Sequence, residues 1–470
     1  MNLAEDLRRA GQPELARLLE TLPEDEAATL AAEVAAVDLD LLADLVDRLV
    51  RTDRPEMAGE VSPADPSDFV RIAQNDEERE RDRAAKVLGE RMLRDGRVAA
   101  VLLAGGQGSR LGFDGPKGAF PFAPITGRTL FWHHCATIAA LRERHRAPLP
   151  LYILTSPTND QETRDFFAAN DHFGLEPQSV RFVVQGTLPA VDATTGALLR
   201  ESPGHLALSP DGHGGLLTAL RRTGTLDEMA AAGIDTMFTF QVDNPLVRTC
   251  RPEFLGHHEM AGAQMSSVVV RKVGPEERMG VIARLDGRPG VVEYSDLPDE
   301  LAALRDDEGE LVYWAGSIAV HCIDRRFAER LTQDGVHLPH HRALKVVPYI
   351  DADGRPVDPA EPNAVKFETF LFDALAHADR TVAVEAAREE EFAPIKNATG
   401  SDSPESARRA LNNLYATWIE AAGMEAPRDE HGEPVDIEID PRLALDPDEL
   451  AGALMEGRTI SGPTVLGPPG

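Results

Sequence analysis

Hydrophobic positions over the first fifty residues recur at a helical interval. Leu15, Leu18, Leu19 and Leu22 share one face, and Leu41, Leu42, Leu45, Val46 and Leu49 share another, with a break and restart at Thr21-Leu22-Pro23-Glu24. Ser62-Pro63-Ala64-Asp65-Pro66-Ser67 reads as a turn-rich linker, and a charged helix over 76–94 follows it to Gly96. At Val98 the period changes. Val98 to Ala104 is an unbroken apolar run, the mark of a strand covered on both faces. Leu151 to Thr155, Val180 to Val184, Met237 to Val242 and Ser266 to Val270 repeat that pattern, with helical stretches such as Leu130 to Arg144 and Leu216 to Arg222 between them. Alternating strands and helices predict an α/β fold with a mixed, mostly parallel sheet, whose ligands sit at the carboxyl ends of the strands. After residue 400 the pattern shifts to a helix over 404–423, a polar turn at Asp429 to Pro434, and short strands at Val435 to Ile439 and Thr464 to Leu466. The closing Gly467-Pro468-Pro469-Gly470 is expected to be frayed. Three segments are expected: a helical arm over 1–95, a core over 96–400 and a small α/β module over 401–470.

Composition narrows the function. With 48 Lys and Arg against 79 Asp and Glu, the formal charge is −31, and such a field repels nucleic acid and anionic membranes as general partners. Cys135, Cys250 and Cys322 are far apart and odd in number, so no disulfide framework or structural zinc is expected. The amino-terminal residues carry no apolar core of signal-peptide type and no run approaches a membrane span, which reads as cytoplasmic. Only Lys86, Lys117, Lys272, Lys345, Lys366 and Lys396 are lysines. Where arginine has taken most cationic positions, a retained lysine is a lead to a place where a compact ammonium is wanted, with chance placement as the plain alternative. Pro116-Lys117-Gly118, Val365-Lys366-Phe367 and Ile395-Lys396-Asn397 have the look of phosphate motifs.

The loop after the first strand reads Leu103-Ala104-Gly105-Gly106-Gln107-Gly108-Ser109-Arg110-Leu111-Gly112, then Phe113-Asp114-Gly115-Pro116-Lys117-Gly118. Glycines let the backbone approach a ligand and turn amides towards an anion. The dinucleotide fingerprint fails, because Leu111 stands where its third glycine belongs, and the Walker loop fails, because Gly118 follows Lys117. A tight structural turn is the plain alternative, but Arg110 and Lys117 add two cations to this loop and favour phosphate.

On these residues the chain resembles the eukaryotic-type UDP-sugar pyrophosphorylases, the UDP-N-acetylglucosamine enzymes above all. The resemblance runs in order through Gln185-Gly186-Thr187-Leu188-Pro189-Ala190, Ser209-Pro210-Asp211-Gly212, Val242-Asp243-Asn244, Val292-Glu293-Tyr294-Ser295, Lys366-Phe367-Glu368 with Phe370 and Phe372, and Pro394-Ile395-Lys396-Asn397-Ala398. It also takes in Ala10-Gly11-Gln12 and the C-terminal strands, and so covers nearly the whole chain. It implies a Rossmann-like nucleotidyltransferase core. The implied reaction is uridylyl transfer from UTP to a hexose or N-acetylhexosamine 1-phosphate, with Mg2+ or Mn2+ as the metal. By the same resemblance Arg110, Lys117 and Lys396 are catalytic. Leu103, Ala104, Gly105, Gly106, Gln185, Gly212, Asp243 and Lys366 hold the nucleotide, and Asp243 is the metal ligand. His213, Gly280, Glu293, Tyr294, Ser317, Phe370 and Phe372 surround the sugar.

Two segments depart from the family pattern. His213 and Ser317 stand where the family has asparagine, in Asp211-Gly212-His213-Gly214-Gly215 and Trp314-Ala315-Gly316-Ser317. By the resemblance, both positions are ones the family uses near the sugar and neither belongs to its phosphate machinery. An imidazole and a hydroxyl in place of two amides are expected to change which sugar is accepted, with His213 as a neutral spectator the open alternative. A glucose 1-phosphate or broad-range enzyme is the neighbouring reading. A non-catalytic nucleotide-sugar sensor is disfavoured by Arg110, Lys117, Asp243, Lys366 and Lys396 standing together.

Overall fold

The buried apolar runs form the sheet that the alternation predicts. The structure is a computed structural model describing residues 3–52, 59–333, 338–454 and 460–468; Pro469 and Gly470 of the closing segment lie outside these. Two compact units are built from non-adjacent segments: Met1–Glu60, Gln185–Ala219 and His337–Asp373 make one, and Val61–Val184, Leu220–Val336 and Ala374–Gly470 the other. The boundaries expected at 95 and 400 follow chain order, whereas these units do not.

The larger unit holds the central sheet. Its main strands are β1 (Phe69–Val70), β2 (Val98–Leu103), β3 (Leu151–Thr155), β4 (Val180–Val184), β5 (Thr236–Gln241), β6 (Met265–Arg271), β7 (Ala315–Asp324) and β8 (Thr381–Glu385), in the order β1-β8-β6-β7-β5-β2-β3-β4. Strand β7 is antiparallel to β5 and β6, and every other pair is parallel. All six residues of β2 are buried, as a strand with neighbours on both edges and cover on both faces requires. The expected linker at 62–67 is corrected here. Val61–Pro63 pairs with Ala283–Leu285, and Pro66–Asp68 is a single helical turn capped by Asp65. Proline closes the strand at an edge, where its missing N–H costs nothing.

Backbone contact ties the charged helix Asp76–Arg94 to the helix Pro252–Ala261. A Cβ on Gly89 would lie 1.9 Å from the Pro252 carbonyl oxygen, and one on Gly256 would lie 1.8 Å from that of Ala85. The helix Pro404–Ala421 and the short strands Ile437–Ile439 and Thr464–Leu466 share one hydrophobic core with β2 and β5 through Ala407, Leu411, Ile437 and Leu466.

In the smaller unit, the amphipathic helices Glu24–Ala35 and Leu39–Leu49 bury Leu30, Leu42 and Leu45 in a core with Val191 and Phe367. That core is backed by antiparallel pairing of Ala364–Thr369 with His340–Lys345 and Val191–Asp192. Gln12 is buried with both ends of its amide satisfied: Nε2 donates to the Gly196 carbonyl at 2.9 Å, and Oε1 accepts from the Leu198 N–H at 2.8 Å. No described helix is long and apolar enough to cross a membrane.

Candidate active site

Strands β2 and β5 run side by side in parallel, Gln241 opposite Leu103, and the Val242 N–H donates to the Leu103 carbonyl at 3.1 Å. Their register therefore delivers the glycine loop and Val242-Asp243-Asn244 to the same end of the sheet.

The glycine loop is held by its carbonyls. Asn159 Nδ2 donates to the Ala104 and Gly106 carbonyls at 2.9 and 3.3 Å, and Ser156 Oγ to that of Gly105 at 2.8 Å. Among the described residues no partner takes the Gly105 or Gly106 N–H. A Cβ on Gly106 would meet nothing within 4 Å, so open space rather than packing surrounds that backbone. Leu103 and Ala104 are buried at the strand end and carry the loop. The return leg is fixed by Gly108 N–H to Gly115 and Lys117 N–H to the Gly106 carbonyl at 3.1 Å. Gly118 abuts a ring: its Cβ would fall 2.3 Å from Phe131 Cζ.

Lys117 and Asp243 come together across this end. Nζ lies 3.0 Å from Asp243 Oδ2, with the side chains only 17% and 9% exposed. Asp243 Oδ1 is buried and has no hydrogen-bond partner among the described residues. The backbone on which Asp243 rides is clamped. Its carbonyl accepts from the Ile395 N–H at 2.8 Å, and the Val242 carbonyl accepts from His134 Nε2 at 3.0 Å. Asn244 bridges with both amide atoms, Nδ2 to the Glu391 carbonyl at 2.7 Å and Oδ1 from the Ala393 N–H at 3.1 Å. Glu391, itself buried, accepts from the Arg248 N–H at 3.0 Å and pairs with Arg251 Nη1 at 3.1 Å. Burial pushes its carboxyl up against the opposing pull of those arginines. The clamp brings Lys396 beside Asp243 along the backbone, with its ammonium 5.8 Å from the Phe392 ring centroid. Arg110 stands exposed on the turn Ser109–Leu111, without an ion-pair partner among the described residues.

A second cluster in the same unit gathers Gly280, Glu293 and Ser317. The Ser317 N–H donates to the Gly280 carbonyl at 2.8 Å, and a Cβ on Gly280 would sit 2.9 Å from Glu293 Oε1. Tyr294, next to it, is 47% exposed.

The smaller unit carries the other candidate residues. Gln185 is buried, and the Gly186 carbonyl accepts from the Asp211 N–H at 3.1 Å. The Asp211 carboxylate lies where Cβ atoms on Gly186 and Gly215 would be, within 2.5 and 2.2 Å. Gly212 has φ +84°, and a Cβ there would strike the Thr369 carbonyl oxygen at 2.3 Å, so glycine is required twice over. His213 Nδ1 accepts from the Leu371 N–H at 3.1 Å, which fixes the neutral Nε2–H tautomer. Its ring packs against Phe370 and Phe372 with centroids at 5.4 and 5.8 Å, and Phe370 stacks in turn on His341 at 4.5 Å. Burial, with His341 nearby, lowers the His213 pKa to about 4. Lys366 alternates with buried Val365 and Phe367 on its strand, and burial pulls its ammonium below the usual lysine range.

Ser156, Asn159, Glu391 and His341 shape these clusters without a sequence signal of their own, and Asn244 does so from inside the Val242-Asp243-Asn244 motif. Among the described residues no group of three or more His, Cys, Asp or Glu is placed to hold a metal. A hard cation that keeps water and phosphate oxygens needs only a single carboxylate oxygen such as the unpartnered Oδ1 of Asp243.

Residues 47–416 match the family model described as UTP–glucose-1-phosphate uridylyltransferase. A Homo sapiens relative called UDP-N-acetylhexosamine pyrophosphorylase-like protein 1 is 35% identical, covering 98% of this chain and 96% of its own. The Arabidopsis thaliana UDP-N-acetylglucosamine diphosphorylase 1 is 34% identical over 98% of this chain and 92% of its own. Among solved structures, the Trypanosoma brucei uridine diphosphate N-acetylglucosamine pyrophosphorylase in complex with an inhibitor superposes with a TM-score of 0.81 at 28% identity. The match covers 96% of this chain and 93% of that one.

Proposed function

The chain belongs to the UTP–glucose-1-phosphate uridylyltransferase family, and from that premise we propose that it joins UTP and a sugar 1-phosphate into UDP-sugar and pyrophosphate. A phosphate oxygen of the sugar attacks the α-phosphorus of UTP in line, the bond to the β-phosphate's bridging oxygen breaks, and pyrophosphate leaves. Little covalent chemistry falls to the protein, whose task is to hold two anions in line and offset charge. The free N–H groups of Gly105 and Gly106 face the nucleotide phosphates, with Lys117 and Arg110 drawn to the departing pyrophosphate. Lys396 serves the sugar phosphate, and Lys366 assists at the nucleotide. The observation that carries this reading is the Lys117–Asp243 pair at 3.0 Å, beside unpartnered loop amides at the carboxyl ends of β2 and β5. Magnesium, held through Asp243 Oδ1, would supply charge neutralisation on the phosphates.

For the sugar we propose an N-acetylhexosamine 1-phosphate, in line with the names of the full-length relatives. A specific observation favours a broadened choice as a second reading. His213 has committed Nδ1 to the Leu371 N–H and keeps a single Nε2–H donor, whereas an amide in its place offers both a donor and an acceptor. The free, buried thiols of Cys135, Cys250 and Cys322 fit a reducing compartment, and the cytoplasm is part of the proposal. Pyrophosphate release from UTP and Mg2+ is to be measured across N-acetylglucosamine, N-acetylgalactosamine, glucose and galactose 1-phosphates. Release is expected with at least one N-acetylhexosamine, and His213→Asn or Ser317→Asn should shift the ratio of kcat/KM between sugars more than the rate on the best one. Binding of UTP with no release from any of the four would contradict the proposal.

A further inference from the structure

We propose that Lys117 is the resident counter-cation of the metal carboxylate: in the nucleotide-free enzyme its ammonium closes Asp243 to free divalent ions, so the metal enters on the nucleotide. This rests on the reading of Asp243 as the metal ligand. Three observations lead to it. The Lys117 ammonium already sits on Oδ2 at 3.0 Å, in a pair shielded from solvent on both sides. The remaining oxygen, Oδ1, is buried and unpartnered among the described residues, so the carboxylate has one cation and no second support. The third is an asymmetry of anchoring. Asp243 is pinned by Ile395, by the Asn244 bridge to Glu391 and Ala393, and by the bond from His134 to Val242. Lys117 is likewise pinned at its backbone, through its N–H to Gly106 and its carbonyl to Phe120, but four methylenes separate that backbone from its charge, against a single one for the Asp243 carboxylate. When a divalent cation approaches Asp243, the lysine is the group that moves.

Electrostatics gives the exchange its direction. A bare divalent ion and an ammonium compete for one carboxylate at close quarters, where like charges cannot both remain in a partly desolvated site. A metal bound to a triphosphate brings its own negative charge, and the displaced ammonium gains phosphate oxygens as partners in exchange for Asp243. A single lysine would thus guard the metal site in the empty enzyme and neutralise the leaving group in the loaded one. This is a task for a mobile point charge more than for a planar guanidinium, which accounts for lysine at 117 in a chain that otherwise prefers arginine.

The test is metal binding by the full chain without nucleotide, followed by the electron paramagnetic resonance of Mn2+. The parent protein is expected to show no Asp243-dependent site below millimolar Mn2+ and to gain one when UTP is added. Lys117→Met and Lys117→Ala should each acquire a nucleotide-independent site, tighter by at least about tenfold, and Lys117→Met/Asp243→Asn should lose it. A thermal shift gives a second readout: Mg2+ alone should raise the Tm of Lys117→Met and leave that of the parent unchanged. A parent that binds Mn2+ without UTP as tightly as Lys117→Met would overturn the proposal, and so would a Lys117→Met that gains no site. Failure of the underlying metal reading shows separately, as turnover that is indifferent to Mg2+.

Discussion

Lys117 and Asp243 form a buried ion pair whose value depends on both members. Removing one leaves an uncompensated charge below the surface, a loss of about 3 kcal/mol, whereas removing both leaves none. Lys117→Met should therefore unfold at lower denaturant than Lys117→Met/Asp243→Asn, and a double variant less stable than the single would be evidence against the pairing. For turnover the expectation is a fall of about 10²–10³ in kcat for Lys117→Ala, the scale of losing one preorganised charge-stabilising donor. Steady-state kinetics on folded protein checks it. Lys117 is legible in sequence from the glycine loop around it, whereas Asp243, a carboxylate closing an apolar strand, is singled out through the family resemblance and alone would read as a turn cap. Asn159, Ser156 and Glu391 are not legible. The partners of Asn159 and Ser156 are backbone carbonyls that the register of β2 and β3 brings within reach, and those of Glu391 are Arg248 and Arg251 on a separate segment; no spacing along the chain encodes either.

Among the elements, the helix pair Asp76–Arg94 and Pro252–Ala261 meets backbone to backbone at Gly89 and Gly256. Gly256→Ala should destabilise by at least about 2 kcal/mol, because the added methyl meets a carbonyl that cannot retreat without moving a helix. Gly452, in the helix Pro447–Ala453, has nothing within 4 Å of its would-be Cβ. Gly452→Ala should be stabilising by about 0.5–1 kcal/mol through helix propensity. Urea unfolding of the two variants separates packing from propensity, and equal effects would contradict the packing argument. The long strands could be read from sequence because burial on both faces leaves a continuous apolar run. Val61–Pro63 could not, since a strand of three residues is defined by its partner at Ala283–Leu285 and not by its composition.

For the molecule as a whole, buried histidines set the acid limit of stability. His134 and His258 are 1% and 3% exposed, and desolvation lowers their pKa values to about 3 and about 4. Between those values and the ordinary 6.5 the unfolded chain binds protons that the folded chain refuses. Stability therefore falls as pH drops below about 6.5, by on the order of 2 kcal/mol for each histidine at pH 5. Denaturant midpoints at pH 7 and pH 5 should show the loss, and replacing His258 with Gln should reduce it; an unchanged midpoint in the parent would contradict the assignment. The division into units was hidden from the sequence for a related reason. Each unit collects segments far apart in the chain, so composition along the chain marks no boundary between them, while the alternation that predicts the sheet is a local signal and survives.

Uridylyl transfer makes a claim about which phosphorus moves, and an isotopic label reads it directly. UTP labelled at the α-phosphorus, and separately at the γ-phosphorus, is to be turned over with N-acetylglucosamine 1-phosphate and Mg2+. The account predicts α-label in a UDP-sugar and γ-label in pyrophosphate. Label from the γ position on the sugar, or α-label released as UMP with no UDP-sugar formed, would contradict it.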